Sequence, residues 1–186
     1  MELSTSRRIP GRATSGTEVR AAVFNEHEVR AAAGLTMVLG AVAFSYAYFD
    51  QYYLLLRIVT AVLFVEFLAR VTVGLRYSPM GAVARALTLA QAPEWVSAKP
   101  KRFAWTLGLA MSASMVVLTN IGVRGLLPRT ICLTCLSLMW MESVLGLCLG
   151  CKIYALLVRR GWAAEDPAVE VCAQGECRLA VGPVEA

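Results

Sequence analysis

The stretch that decides the architecture is CLTCLSLMWMESVLGLCLGC, Cys132 to Cys151. Two C-x-x-C pairs stand sixteen residues apart in an apolar run whose one acid is Glu142. The run belongs to a longer segment, Ile131 to about Val158, interrupted only by Glu142 and Lys152. Three other segments resemble it. Ala31 to Phe49 and Phe103 to Val123 carry no formal charge, and Tyr52 to Ala69 carries only Arg57 and Glu66. At 1.5 Å per residue, roughly twenty residues cross the hydrocarbon of a bilayer. Backbone polar groups in lipid must be paired within the chain, so runs of this length read as helices. The expected fold is all-α: a polytopic four-transmembrane-helix bundle with spans at about 31–49, 52–69, 103–123 and 131–158.

Composition agrees. The 186 residues are 58% hydrophobic and 17% charged, where a soluble domain carries about 25% charge. A net charge of +5 does not point to nucleic acid, because the chain has no basic recognition helix and no basic-aromatic interleaving. The first thirty residues lack a suitably placed small-residue cleavage site and read as a retained tail. The division expected is a polar basic tail at 1–24, a transmembrane domain at 25–160, and a mobile tail at 161–186 that carries a cysteine pair.

Basic residues set the direction. The connection between the second and third spans holds Arg70, Arg76, Arg85, Lys99, Lys101 and Arg102. Lys152, Arg159 and Arg160 close the fourth span, whereas the other two connections hold Asp50 on one side and Arg124 with Arg129 on the other. The Lys/Arg bias places both termini and the central connection in the cytoplasm. Tyr46, Tyr48, Tyr52 and Tyr53 would ring the outer turn, and Trp95 and Trp105 would flank the inner one. Within the central connection, Ser78-Pro79 followed by MGAVARALTLA reads as an N-cap, a first-turn proline and a short amphipathic helix, either a packed helical linker or a helix lying along the inner surface. The only histidine, His27, sits at a helix entry with Asn25 as the cap and Glu28 three residues on.

The intramembrane polar residues are Arg57, Glu66, Arg70 and Glu142. A charge near the centre of a span costs about 2.5 to 3.5 kcal/mol, which pairing or a wet cavity relieves. Glu66 and Arg70 are four apart and can pair on one helix face. On a continuous fourth helix Glu142 lies at mid-membrane, where Arg57 could reach it. Periodicity then gathers Cys132, Cys135, Met139, Glu142 and Gly146 on one stripe, with Cys148 and Cys151 turned away.

The six cysteines form three pairs: Cys132/Cys135 near the outer end, Cys148/Cys151 near the inner end, and Cys172/Cys177 in the tail. Backbone donors at a helix start activate the first thiol of a C-x-x-C pair. That suits Cys132 and suits Cys148 only if Gly146 or Gly150 breaks the helix. Inside an unbroken helix, i,i+3 cysteines make a poor disulfide, so the inner pair looks better matched to dithiol binding. In a reducing cytosol the tail pair reads as an exchanging dithiol, with Gly175 allowing a turn between its cysteines.

A resemblance adds to this. Leu147-Cys148-Leu149-Gly150-Cys151-Lys152-Ile153-Tyr154, with Lys101-Arg102-Phe103-Ala104-Trp105 and Arg76-Tyr77-Ser78-Pro79, resembles a family of small, largely uncharacterised bacterial integral-membrane proteins. In these a Cys-Leu-Gly-Cys-x-x-Tyr motif closes the last transmembrane helix. The likeness covers about Asn25 to Arg160 and implies residence in the bacterial inner membrane. Some members are joined to thioredoxin-like or rhodanese-like partners, which implies sulfur or thiol redox chemistry. Cys148 and Cys151 match the motif, whereas the other two pairs belong to a subset.

Three functions remain open. The first is a membrane thiol protein whose cysteine pairs at the two faces exchange electrons or a sulfur-bound group with soluble partners, all six cysteines being the reactive set. The second is a passage for a soft metal ion or small sulfur compound, with Cys132, Cys135, Met139, Cys148 and Cys151 as ligands. The third is a scaffold packed with small apolar cysteines. No resident cofactor is expected. Membrane lipids are the expected surroundings, and neither an enzymatic reaction nor an oligomeric state is legible.

Overall fold

A computed structural model describes residues 7–12, 18–163, 170–173 and 176–179. It is mostly helical, with α1 at Glu26–Phe49, α2 at Tyr53–Thr72, α3 at Pro79–Leu87, α4 at Ala98–Asn120, α5 at Leu126–Leu145 and α6 at Leu149–Arg159. The four long helices close a ring: α1 packs on α2 and α5, and α4 packs on the same two. Two helices, α1 and α4, are long and apolar enough to cross a membrane, and α5 with α6 makes a third if that bent pair counts as one span. The four expected spans are thus two or three by length and composition. The shortfall arises because α2 carries Arg57, Glu66 and Arg70 and because the fourth run is not one helix.

The outward faces suit lipid. Leu54, Ile58, Val62, Val65 and Leu68 are exposed at helical spacing along α2, and Leu133, Trp140 and Val144 are exposed on α5. A soluble monomer seldom leaves so continuous an apolar surface uncovered. Tyr46, Tyr48 and Tyr52 are exposed around the α1–α2 turn. Trp105 departs from the belt expected of it. It is buried, its ring 4.9 Å from that of Phe24, because it lies on the α4 face that also buries Lys101, Gly108 and Ser112. The side chain of Trp95 lies outside what the structure describes.

Local chemistry sets the helix starts. Asn25 caps α1, accepting the His27 N–H at 3.2 Å. Its side chain also donates to Glu28 at 3.4 Å. Ser78 caps α3, its hydroxyl accepting the Gly81 N–H at 3.0 Å, and Pro79 occupies the first turn. The short helix is therefore where the sequence places it. It packs against α1.

The all-α expectation needs one correction. Strands β1 (Arg7–Arg12), β2 (Glu18–Asn25) and β3 (Trp95–Ser97) form an antiparallel sheet in the order β1-β2-β3. The segment read as a tail thus runs into α1 through a strand that pairs with the central connection, Asn25 opposite Trp95. A second hairpin, β4 (Glu170–Ala173) with β5 (Glu176–Leu179), puts Cys172 directly across from Cys177. β5 lies beside β3 and α6. The turn at Gly175 and the tail pair's sulfurs lie outside what the structure describes.

Candidate thiol site and the buried ion network

The fourth apolar run breaks at Gly146. This residue ends α5 in the left-handed conformation, φ +68°, and α6 leaves at 93° to α5. Only glycine adopts that conformation without steric cost, which makes it a common terminator just past a helix end. The carbonyls freed there are satisfied from a distant element. Arg30 of α1 donates from Nε and Nη2 to Ser143 O at 3.3 and 3.2 Å, and from Nη2 to Val144 O at 3.1 Å. A cation over the end of a helix also meets the negative pole of its dipole. Gly146 lies so close that a Cβ on it would stand 3.4 Å from the guanidinium carbon.

The break changes what Cys148 and Cys151 are. Cys148 is the N-cap of α6, and its Sγ accepts the Cys151 N–H at 3.3 Å. The two residues form a disulfide across a Cα–Cα distance of 5.2 Å. The expectation of a dithiol unsuited to crosslinking assumed an unbroken helix. With Cys148 in extended conformation at the cap, it is no longer bound to helical geometry and closes onto Cys151. Both cysteines are under a tenth exposed. Gly150 explains part of that burial, since a Cβ there would stand 2.6 Å from Ala104 Cβ, so α6 seats its first turn directly on α4. One turn on, Tyr154 packs on Phe103, ring centroids 5.7 Å apart. Two of the three sequence motifs therefore meet face to face.

The same break moves Glu142. On a continuous helix it falls at mid-span, whereas it actually lies three residues from the end of α5 and is buried. Its partner is Lys101, not Arg57. Lys101 Nζ donates to Glu142 Oε1 at 2.7 Å and to Glu26 Oε1 at 3.0 Å, with Glu26 Oε2 in ion-pair contact at 2.8 Å. One ammonium thus joins the start of α1, the start of α4 and the end of α5. Beside it, Arg70 pairs with Glu66 at 2.7 Å and donates to Thr36 Oγ1 at 2.9 Å. Glu66 Oε2 accepts the Met80 N–H at 3.2 Å, tying the first turn of α3 to α2. Arg57 sits at the opposite end of the bundle, where its Nε donates to Thr119 O at 3.0 Å.

Cys132 and Cys135 are half-buried and carry no disulfide. They line an interior cavity with Met139 of α5, and also with Met111 and Met115 of α4. The two α4 methionines escaped the sequence reading. Their spacing of four was the available signal, since it puts them on one face beside Ser112. Among the described residues no group of three or more His, Cys, Asp or Glu converges in a way that could hold a metal ion.

With this geometry in place, comparison is informative. The family described as a domain of unknown function (DUF4395) matches residues 24–159. The chain belongs to that family. The matched region runs from β2 to the last residue of α6, so it contains the ion network, both helical cysteine pairs and the Gly146 break. It ends before the β4–β5 hairpin, and Cys172 and Cys177 lie outside it. No curated protein and no solved structure matches the chain.

Proposed function

We propose that the chain is a thiol protein of the bacterial inner membrane whose reactive centre is the Cys148–Cys151 pair. The observation that carries this reading is the Gly146 break, which presents the pair as a disulfide at the start of a helix, at the end of the bundle rich in basic residues. In the proposed topology all four long helices cross the membrane, and that end faces the cytoplasm with both termini. Exchange with a soluble dithiol passes two electrons and two protons. A partner thiolate attacks one sulfur, the mixed disulfide is resolved by the partner's second thiol, and Cys148 and Cys151 leave as thiols. A thioredoxin-like protein has the required chemistry, and a rhodanese-like persulfide donor would deliver a sulfur atom to the same thiols. The tail hairpin supports an intramolecular version, because its backbone sets Cys172 opposite Cys177 and rests beside α6. Exchange requires α6 to ease away from α4 at the Gly150–Ala104 contact.

Alkylation with a mass tag, before and after reduction, tests the reading in intact membranes. The expected result is a two-tag shift that appears on reduction, disappears in Cys148→Ser/Cys151→Ser, and follows the redox state of added thioredoxin-like protein. Six thiols that are fully alkylated without reductant would refute it, and undisturbed fitness of a cysteine-free variant would favour the scaffold.

The sulfur-lined cavity favours a second reading, passage of a soft monovalent cation by way of Cys132, Cys135, Met139, Met111 and Met115. Stoichiometric silver(I) binding, abolished in Cys132→Ser/Cys135→Ser, is its test.

A further inference from the structure

A second cavity opens at the other end of the bundle, between the α1–α2 and α4–α5 turns, and Cys132 lines both it and the sulfur-lined interior. Its walls carry Arg57, Arg124 and Arg129, and no Asp or Glu is among its lining residues. None of the three guanidinium groups has a carboxylate within ion-pair distance among the described residues. Their partners are of another kind. Arg57 donates to the Thr119 carbonyl, Arg124 lies over the Tyr53 ring at 4.3 Å, and Arg129 over the Tyr48 ring at 5.1 Å. The start of α5 faces the same space through Gly125 and Pro128, and Gly125 offers no side-chain cap. Uncapped N–H groups at a helix start add partial positive charge.

Three cations clustered without a counter-ion repel one another, and a cation entering here would meet all of them. Arg124 and Arg129 are exposed, so solvent can screen them, but with Arg57 they give one cavity a lining suited to a negatively charged ligand. The rest of the lining is softer. Phe44, Ala47 and Leu56 are apolar, and the Cys132 thiol is polarisable. We propose that this cavity binds a small anion with a soft, sulfur-bearing body, its charged end at the arginines and its sulfur against Cys132. The free volume of about 50 Å³ limits its size. Because one water needs roughly 10–15 Å³, the space suits a ligand of only a few heavy atoms. The proposal is independent of the Cys148–Cys151 chemistry and argues against cation entry from this end.

Three non-reducing probes of similar size test it by calorimetry on the full chain in lipid nanodiscs. (Methylthio)acetate carries the anion and the sulfur, methoxyacetate the anion alone, and 2-(methylthio)ethylammonium the sulfur on a cation. (Methylthio)acetate is expected to bind saturably, methoxyacetate more weakly, and the cation not at all. Hydrogen bonds to charged groups are worth about 1.5–3 kcal/mol, so Arg124→Gln and Arg129→Gln should each weaken binding about tenfold or more. Arg124→Lys, which keeps the charge, should lose less. Both arginines are exposed and touch only aromatic rings in the contacts described, so folding should survive, as checked by an unchanged gel-filtration profile. Binding of the cation as tightly as the anion, or indifference to both glutamine substitutions, would overturn the proposal. Equal affinity for methoxyacetate would overturn the role given to the sulfur.

Discussion

Replacing Lys101 by methionine removes the cation shared by the half-buried Glu26 and the buried Glu142. Glu26 Oε2 and Glu142 Oε1 lie 2.8 and 2.7 Å from the same Nζ, so they stand at most about 5.5 Å apart. Two unit charges at that separation repel by about 3 kcal/mol at an effective dielectric constant of about 20. Mutational experience gives a similar figure, since removing one partner from a buried ion pair costs about 3–5 kcal/mol. Protonation of one carboxylate limits the loss but leaves a neutral acid without its donor. Glu142→Gln is a different perturbation. It leaves Lys101 paired with Glu26, and the amide oxygen still accepts from Nζ, so a loss below about 1.5 kcal/mol is expected. Lys101→Met/Glu142→Gln removes the repulsion and should be more stable than Lys101→Met alone. Unfolding of the purified protein in detergent by a denaturing surfactant, followed by circular dichroism, measures all three. Lys101→Met matching the wild type, or Glu142→Gln costing as much as Lys101→Met, would refute the assignment of Lys101 as a shared counter-ion. It would also reopen the mid-span placement of Glu142.

Two further substitutions probe the thiol site. Gly150→Ala places a Cβ 2.6 Å from Ala104 Cβ, so α6 must move off α4. Overpacking of this kind costs about 1–3 kcal/mol, partly offset by roughly 1 kcal/mol of helix propensity. After reduction, alkylation of Cys148 and Cys151 should be faster in this variant than in the wild type, and an unchanged rate would contradict the seating of α6 on α4. Gly146→Ala puts a side chain at φ +68° and against Arg30, with an expected loss of about 1–2 kcal/mol. If the variant instead gains helical content and stability, the break is not built into the fold.

Much of the helical framework could be read from the chain alone, because its causes are local. The apolar runs mark the long helices, Asn25 and Ser78 carry their own caps, and Pro79 opens α3. The Glu66–Arg70 pair follows from a spacing of four on one helix. The strands were harder, since β3 is three residues long and gains its partner from a segment some seventy positions earlier.

The course of the last run, and everything that depends on it, was set by packing between distant elements. A glycine within apolar sequence is compatible with a continuous helix. Gly146 becomes a terminus because Arg30, more than a hundred residues away, satisfies the carbonyls that the break exposes. The identity of Glu142's partner, the closing of Cys148 onto Cys151, and the joining of Met111 and Met115 to Cys132 and Cys135 all turn on contacts between helices. Sequence determined which segments become helices through interactions spanning three or four residues. Long-range packing determined where one of them stops, because the donors that make stopping favourable belong to a different helix.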